Sequence, residues 1–327
     1  MVPFVVTPAV KSIIENIKNL KLDPSAIERQ VLPSENEKKI TDDELSDPLG
    51  AKSHSVTEHF IHQYKNRCLL LTTSNCFGYC RYCFRNNFTC NRNDEPDEAE
   101  LRKICSYLSE HDEIQEILFS GGDPMALPDK KLFNLIEKVR AARPEILIRI
   151  CTRALFYAPE RFSKDVISKF RMLKPLWIIP HINHFYEIDS RTAPQTVKAI
   201  NSILDGGISM QSQTVLLGGV NDDVKTLAYL FEELAKLGIK PGYLFQTDLA
   251  QGTSHFRIPI DKACELYYQL RHELSGLSLP TFAVDLPGGG GKFNLLQLPC
   301  SPSGAEVSAE KYWYEFKKDG EVFRYPR

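Results

Sequence analysis

Thr73-Ser-Asn-Cys-Phe-Gly-Tyr-Cys-Arg-Tyr-Cys-Phe-Arg85 sets Cys76, Cys80 and Cys83 at a CxxxCxxC spacing. Each of the four irons of a 4Fe-4S cube takes a terminal ligand, so a three-cysteine loop implies a cluster with one iron left to another ligand, usually a substrate. The rival readings are a zinc site or three unrelated buried cysteines. Zinc sites generally pair CxxC with a second ligand pair, and no such pair appears elsewhere in the chain. Immediately before the loop, Cys68-Leu-Leu-Leu-Thr-Thr-Ser74 reads as a buried strand running into it. That places the cysteines at a strand's C-terminal end, where barrel enzymes do their chemistry.

Outward from this point the chain alternates apolar, strand-like runs with amphipathic, helix-like runs, the pattern of repeated parallel βα units. The strands are expected at 69–74, 116–120, 146–152, 176–182, 208–216 and 243–247. Helical spacing falls at 96–109, 128–142, 159–173, 193–204, 223–237 and 261–274, several of these with Pro near the first turn. Six such units predict an α/β fold, an incomplete (β/α)6 barrel open on one side for a large substrate or a covering segment. Residues 1–67, with a helix at 9–20 and then a polar acidic stretch, read as an N-terminal helical appendage. Residues 68–275 form the partial barrel and 276–327 a C-terminal segment.

The composition is that of a globular protein: 327 residues, 43% hydrophobic, with a net charge of -2. Nine cysteines and a start too short for a secretory h-region predict a reducing, cytoplasmic setting. No apolar run reaches membrane-spanning length, and the interspersed charges give no basic footprint, so neither membrane nor nucleic acid is expected as a partner. A small molecule is. The cysteines at 68, 90, 105, 151, 264 and 300 are scattered and read mostly as small core hydrophobes.

One low-complexity run stands out, Thr281-Phe-Ala-Val-Asp-Leu-Pro-Gly-Gly-Gly-Gly-Lys-Phe293. A phosphate loop would need glycine at 286 and Ser or Thr at 293, where the chain has Leu286 and Phe293. A linker rarely ends in a lone lysine followed by Phe-Asn-Leu-Leu. Glycines let backbone approach a bulky planar ligand, and an adjacent lysine can bind an aldehyde cofactor covalently.

The cysteine loop, Ser120-Gly-Gly-Asp-Pro124, Gln211-Ser-Gln-Thr-Val-Leu-Leu217, Gly219-Val-Asn-Asp-Asp223 and Pro287-Gly-Gly-Gly-Gly-Lys292 together resemble the lysine 2,3-aminomutase family, over residues 45–327. The cysteine spacing resembles the signature of its superfamily, the radical S-adenosylmethionine (SAM) enzymes. There SAM chelates the open iron and its reductive cleavage gives a 5'-deoxyadenosyl radical. The resemblance implies that Cys76, Cys80 and Cys83 hold a 4Fe-4S cluster and that Lys292 carries pyridoxal 5'-phosphate (PLP). It further implies that Gly121, Gly122, Asp123, Arg153 and Gln213 contact SAM, that Arg85 holds the substrate carboxylate, and that Asp248 and Asp285 clamp a distal ammonium. A planar guanidinium suits bidentate carboxylate recognition, and two aspartates favour lysine over glutamate. The implied enzyme is an isomerase that turns L-lysine into β-lysine, working as a homo-oligomer with an external electron donor such as flavodoxin or ferredoxin.

The chain also departs from the family's pattern. His62-Gln-Tyr-Lys-Asn-Arg67 has Gln63 where the family commonly has an arginine for the PLP phosphate; Arg67 remains and Lys65 is nearby. Cys80-Arg-Tyr-Cys-Phe-Arg85 is closer to the branch that modifies a lysine of translation elongation factor P, a branch that generally lacks the Pro-Gly-Gly-Gly-Gly-Lys run. A protein-bound lysine is therefore the alternative substrate. A non-catalytic iron-sulfur redox or binding protein is the alternative of another class.

Overall fold

The computed structural model describes residues 3–89, 94–295, 313–318 and 321–326. Helix α1 (Pro8–Asn19) starts where the Thr7 hydroxyl accepts from the Val10 amide at 3.4 Å, and it buries Val10, Ile13 and Ile17 along one face. Helix α2 (Ser25–Val31) follows. Two short strands, β1 (Ser55–Thr57) and β2 (Phe60–Tyr64), then run antiparallel into β3 (Arg67–Thr73). The alternation begins there with α3 (Asn86–Thr89), α4 (Glu98–Glu110), β4 (Glu116–Gly121), α5 (Asp129–Ala142) and β5 (Leu147–Thr152). It continues through α6 (Ala154–Tyr157), α7 (Lys164–Met172), β6 (Leu176–Pro180), α8 (Pro194–Asp205) and β7 (Ser209–Val215). The series ends with α9 (Val224–Lys236), β8 (Lys240–Phe245), α10 (Ile260–Glu273) and β9 (Thr281–Leu286). An antiparallel strand β10 (Gly291–Asn294) closes the sheet, and a separate hairpin follows, β11 (Trp313–Lys318) with β12 (Glu321–Pro326).

Ten strands lie in sequence order in one sheet, β3 to β9 all parallel, with antiparallel strands at both edges. Strand periodicity sorts the two faces. Ile117 and Phe119 on β4, Ile148 and Ile150 on β5, and Phe282 and Val284 on β9 are buried among the helices. The alternate positions, among them Arg149, Cys151, Gln213, Tyr243, Phe245 and Asp285, keep partial exposure on the opposite face, the barrel interior. Such a barrel presents the C-terminal ends of its parallel strands, and the loops after them, as one site.

The structure differs from the sequence expectation at three places. The parallel set has one strand more than six, because β9, the apolar stretch before the glycines, pairs in parallel with β8. The helix expected at 159–173 is divided: Pro159 opens a tight turn after α6, and Ser163 caps α7 by accepting from the Val166 amide at 3.3 Å. The expected boundaries at 67 and 276 do not separate independent layers, since β1, β2, β9 and β10 belong to the barrel's own sheet.

The segment between α2 and β1 is tied across the loop after β8. The Glu44 carboxylate accepts from the backbone amides of Gly252, Thr253 and Ser254 at 3.0, 3.0 and 2.7 Å, Leu45 pairs with Ala250, and Arg257 pairs with Asp43. Of the other cysteines, Cys68 is buried and Cys105, Cys151 and Cys264 are half-buried; Cys90 and Cys300 lie outside the described residues. No helix among the described residues is long and apolar enough to cross a membrane.

Candidate active site

β3 delivers the cysteine loop, and the loop is held from several sides. The Arg81 side chain is fully buried: Nε donates to Glu37 Oε1 at 2.8 Å, Nη2 to Glu37 Oε2, and Nη1 to the Pro3 carbonyl at 2.9 Å. The neighbouring Tyr82 hydroxyl accepts from Asn183 Nδ2 at 2.6 Å. Between these anchors the three thiols share one electrostatic neighbourhood. Burial pushes Cys83 up to about 12 with Cys80 adding to the effect, and burial followed by Cys83, Asp123 and Cys80 raises Cys76. Among the described residues no three His, Cys, Asp or Glu side chains converge tightly enough for a single metal ion. The terminal thiolates of a 4Fe-4S cube bind different irons, and three cysteines in one loop would serve three of them.

The end of β4 lies directly against this loop. A side chain at Gly121, where φ is +112°, would come within 2.6 Å of the Thr73 carbonyl, and one at Gly122 within 2.3 Å of the Asn75 carbonyl. Both positions therefore require glycine. Asp123 is committed within the protein: Oδ1 accepts from Thr152 Oγ1 at 2.7 Å and the Met125 amide at 3.0 Å, and Oδ2 from the Arg153 amide at 2.8 Å. It clasps β4 to β5.

Arg153 is held by its Nη atoms, while its Nε is buried without a hydrogen-bond partner among the described residues. Nη2 donates to Gln30 Oε1 at 2.8 Å and to Glu187 Oε1 at 3.3 Å, a buried pair with 6% and 1% of the side chains exposed. Gln213 stands on β7 with its backbone bridged to His181. His181 was not singled out in the sequence, yet its Nε2 is buried without a hydrogen-bond partner among the described residues. An orphaned polar atom beside Gln213 fits a polar ligand next to the cluster loop, as Tyr82 packs edge-on to His181 at 5.8 Å.

Deeper in the interior the charged side chains gather. Lys292 Nζ lies 3.5 Å from both Asp285 oxygens across the β9–β10 register, 5.5 Å from the Tyr243 ring centroid and 4.7 Å from that of Phe245. Those two rings are stacked at 5.1 Å. Burial pulls the Lys292 ammonium down, but Asp285, Tyr64 and Tyr243 outweigh it and its net shift is upward. The Lys292 amide donates to the Tyr64 hydroxyl at 2.8 Å, and Arg67 stacks on the Tyr64 ring at 3.8 Å. Gln63 Nε2 donates to the Gly289 carbonyl at 2.9 Å, so this residue binds the glycine loop itself.

Arg85 Nη1 donates to Ser120 Oγ at 2.8 Å, and burial lowers its guanidinium against the opposing charges of Cys83, Cys151, Asp248 and Asp285. Burial, then Asp285, pushes Asp248 up to about 8, with Lys292 and Arg85 acting the other way. Arg85, Asp248, Asp285 and Lys292 thus form one constellation. An amine, a stacked aromatic pair and a nearby guanidinium on Arg67 fit a planar, phosphorylated aldehyde. Tyr64, Tyr243 and Phe245 were missed in the sequence; the alternation Tyr243-Leu-Phe245, two aromatics on the interior face of a strand, was the available signal.

Residues 70–230 match the model of the radical SAM superfamily. The chain is 45% identical to a Treponema pallidum protein named "Putative L-lysine 2,3-aminomutase", covering 98% of this chain and 89% of that one. It is 35% identical to the L-lysine 2,3-aminomutase of Fusobacterium nucleatum over 88% of this chain and 66% of that longer protein. In fold it is similar to Streptococcus suis SuiB bound to S-adenosylmethionine, with a TM-score of 0.51, 12% identity, and coverage of 71% of this chain and 52% of that one.

Proposed function

The chain belongs to the lysine 2,3-aminomutase family within the radical SAM superfamily, and from that premise we propose that it converts L-lysine to β-lysine by 2,3-amino migration. One observation carries the substrate assignment: Asp248 and Asp285 share one buried neighbourhood with Arg85 and Lys292, so two carboxylates and a guanidinium surround the lysine that would hold PLP.

Cys76, Cys80 and Cys83 would hold the 4Fe-4S cluster, with Gln213, His181 and the backbone at Gly121 and Gly122 facing SAM. Lys292 would hold PLP, with Arg67 at its phosphate. When bound, the reduced cluster and SAM supply a carbon radical that removes a hydrogen atom, and PLP supplies a conjugated system through which the amino group migrates.

The chain's own residues do the rest. Arg85, fixed by Ser120, receives the substrate carboxylate in a planar fork. Asp248 and Asp285 receive the distal ammonium, which offsets the burial and the Asp285 repulsion that hold Asp248 protonated. The stacked Tyr243 and Phe245 and the strap tied down by Glu44 keep water from the interior. An external one-electron donor such as flavodoxin or ferredoxin completes the scheme.

The clamp is tested by Asp285→Asn in steady-state assays on L-lysine and L-glutamate. Removing one carboxylate from a desolvated charge pair costs about 2 kcal/mol or more, so KM for L-lysine should rise about 30-fold or more. An unchanged KM, or wild-type turnover of glutamate in preference to lysine, would remove the assignment.

A further inference from the structure

Tyr157, the last residue of α6, lies against the cysteine loop and is only 2% exposed. Its ring fills the place of a side chain at position 78: a Cβ on Gly78 would stand 2.3 Å from the ring's Cε1. Its hydroxyl is 3.6 Å from Cys80 Sγ. A buried phenol keeps a hydrogen-bond partner, and here that partner is a sulfur. Once Cys80 is bound to iron its sulfur carries no proton, so the bond can run only from the Tyr157 O–H to the sulfur.

The surroundings fix the ring in this pose. Phe156 packs edge-on to Tyr157 at 4.9 Å, and the Arg153 guanidinium stands 4.5 Å from the Phe156 ring centroid and 5.8 Å from that of Tyr157. Arg153 is itself held by Gln30 and Glu187, so the hydroxyl is aimed by a buried network that reaches from α2 to the loop after β6.

We propose that Tyr157 is a positioning residue for the cluster, seating the loop at Gly78 and donating a hydrogen bond to the Cys80 sulfur that raises the cluster's reduction potential. The inference rests on the reading that this loop holds a 4Fe-4S cluster. Reduction adds one electron, drawn from the external donor, and no proton. The added negative charge spreads over the core and its thiolates, so a donor pointing at one thiolate stabilises the reduced form more than the oxidised form. In a buried site this discrimination is larger than in water. A radical SAM enzyme must accept that electron before SAM is cleaved, so the hydroxyl bears on the first step of turnover.

The test is a redox titration, followed by electron paramagnetic resonance, of the anaerobically reconstituted wild-type chain and of Tyr157→Phe, which keeps the ring against Gly78 and deletes only the hydroxyl. At equal iron loading the potential of Tyr157→Phe should be lower. Site-specific 3-fluorotyrosine at 157, a stronger donor that retains the hydroxyl, should move the potential upward and reads out the sign independently of how well the Phe variant loads iron. A potential unmoved in both would overturn the hydrogen bond's role while leaving the cluster reading intact. A wild-type chain that takes up no iron would overturn both.

Discussion

Asp248 shows what the site is built to receive. With no ligand beside it, burial and the neighbouring Asp285 keep its carboxyl protonated up to about pH 8. The unfolded chain loses that proton near the ordinary value of 3.8, so from about pH 4 to pH 8 the folded state binds the extra proton. The sign follows: this group lowers the stability of the ligand-free protein as pH rises through that window, and Asp248→Asn should remove that part of the slope. L-lysine brings a cation to the pair and favours the ionised form. Binding at pH 7 should therefore release a proton, and affinity should rise with pH up to about 8. Calorimetry in buffers of different ionisation enthalpy checks it; equal proton release in wild type and Asp248→Asn would contradict the assignment. At this scale the sequence singled out residues whose type the proposed chemistry confines: the three cysteines, the lysine after the glycines and the two strand-end aspartates. For Asp123 and Arg153 it gave the strand ends but not the partners within the protein. Their side chains stand at suitable strand ends but turn into the protein toward Thr152, Gln30 and Glu187, partners distant in sequence that no local pattern reveals.

The decisive element is the cysteine loop together with the N-terminal segment that holds it. Arg81, between two cluster cysteines, is fully buried and finds its carboxylate in Glu37, a residue that periodicity and spacing leave in an undistinguished acidic stretch. Removing one partner from a buried ion pair strands the other charge and costs about 3–5 kcal/mol. Glu37→Ala should lower unfolding stability by about that amount in denaturant titrations, and should also reduce iron retention during gel filtration. Stability and iron content both like wild type would show that the segment is a bystander. Most of the remaining elements were legible because helix and strand periods differ. The short strands β1 and β2 were not, since strands of three and five residues offer too few alternations to read.

Across the whole molecule, one mixed sheet, parallel from β3 to β9, brings the loop after β3, the glycine turn after β4 and the lysine at the start of β10 to the same interior. Its edges are made by segments that the sequence suggested were appendages. Such long-range pairing is set by the sheet as a whole and not by any stretch within it, which is why the partial barrel could be inferred but its continuity could not. The arrangement makes a specific claim about turnover: cluster, SAM and PLP serve one reaction on free L-lysine. The direct test is anaerobic reconstitution with iron, sulfide and PLP, addition of SAM, dithionite and L-lysine, and mass spectrometry of the product. The wild-type chain should form β-lysine and Lys292→Ala none. A protein loaded with cluster and PLP that cleaves SAM yet forms no β-lysine would contradict that claim.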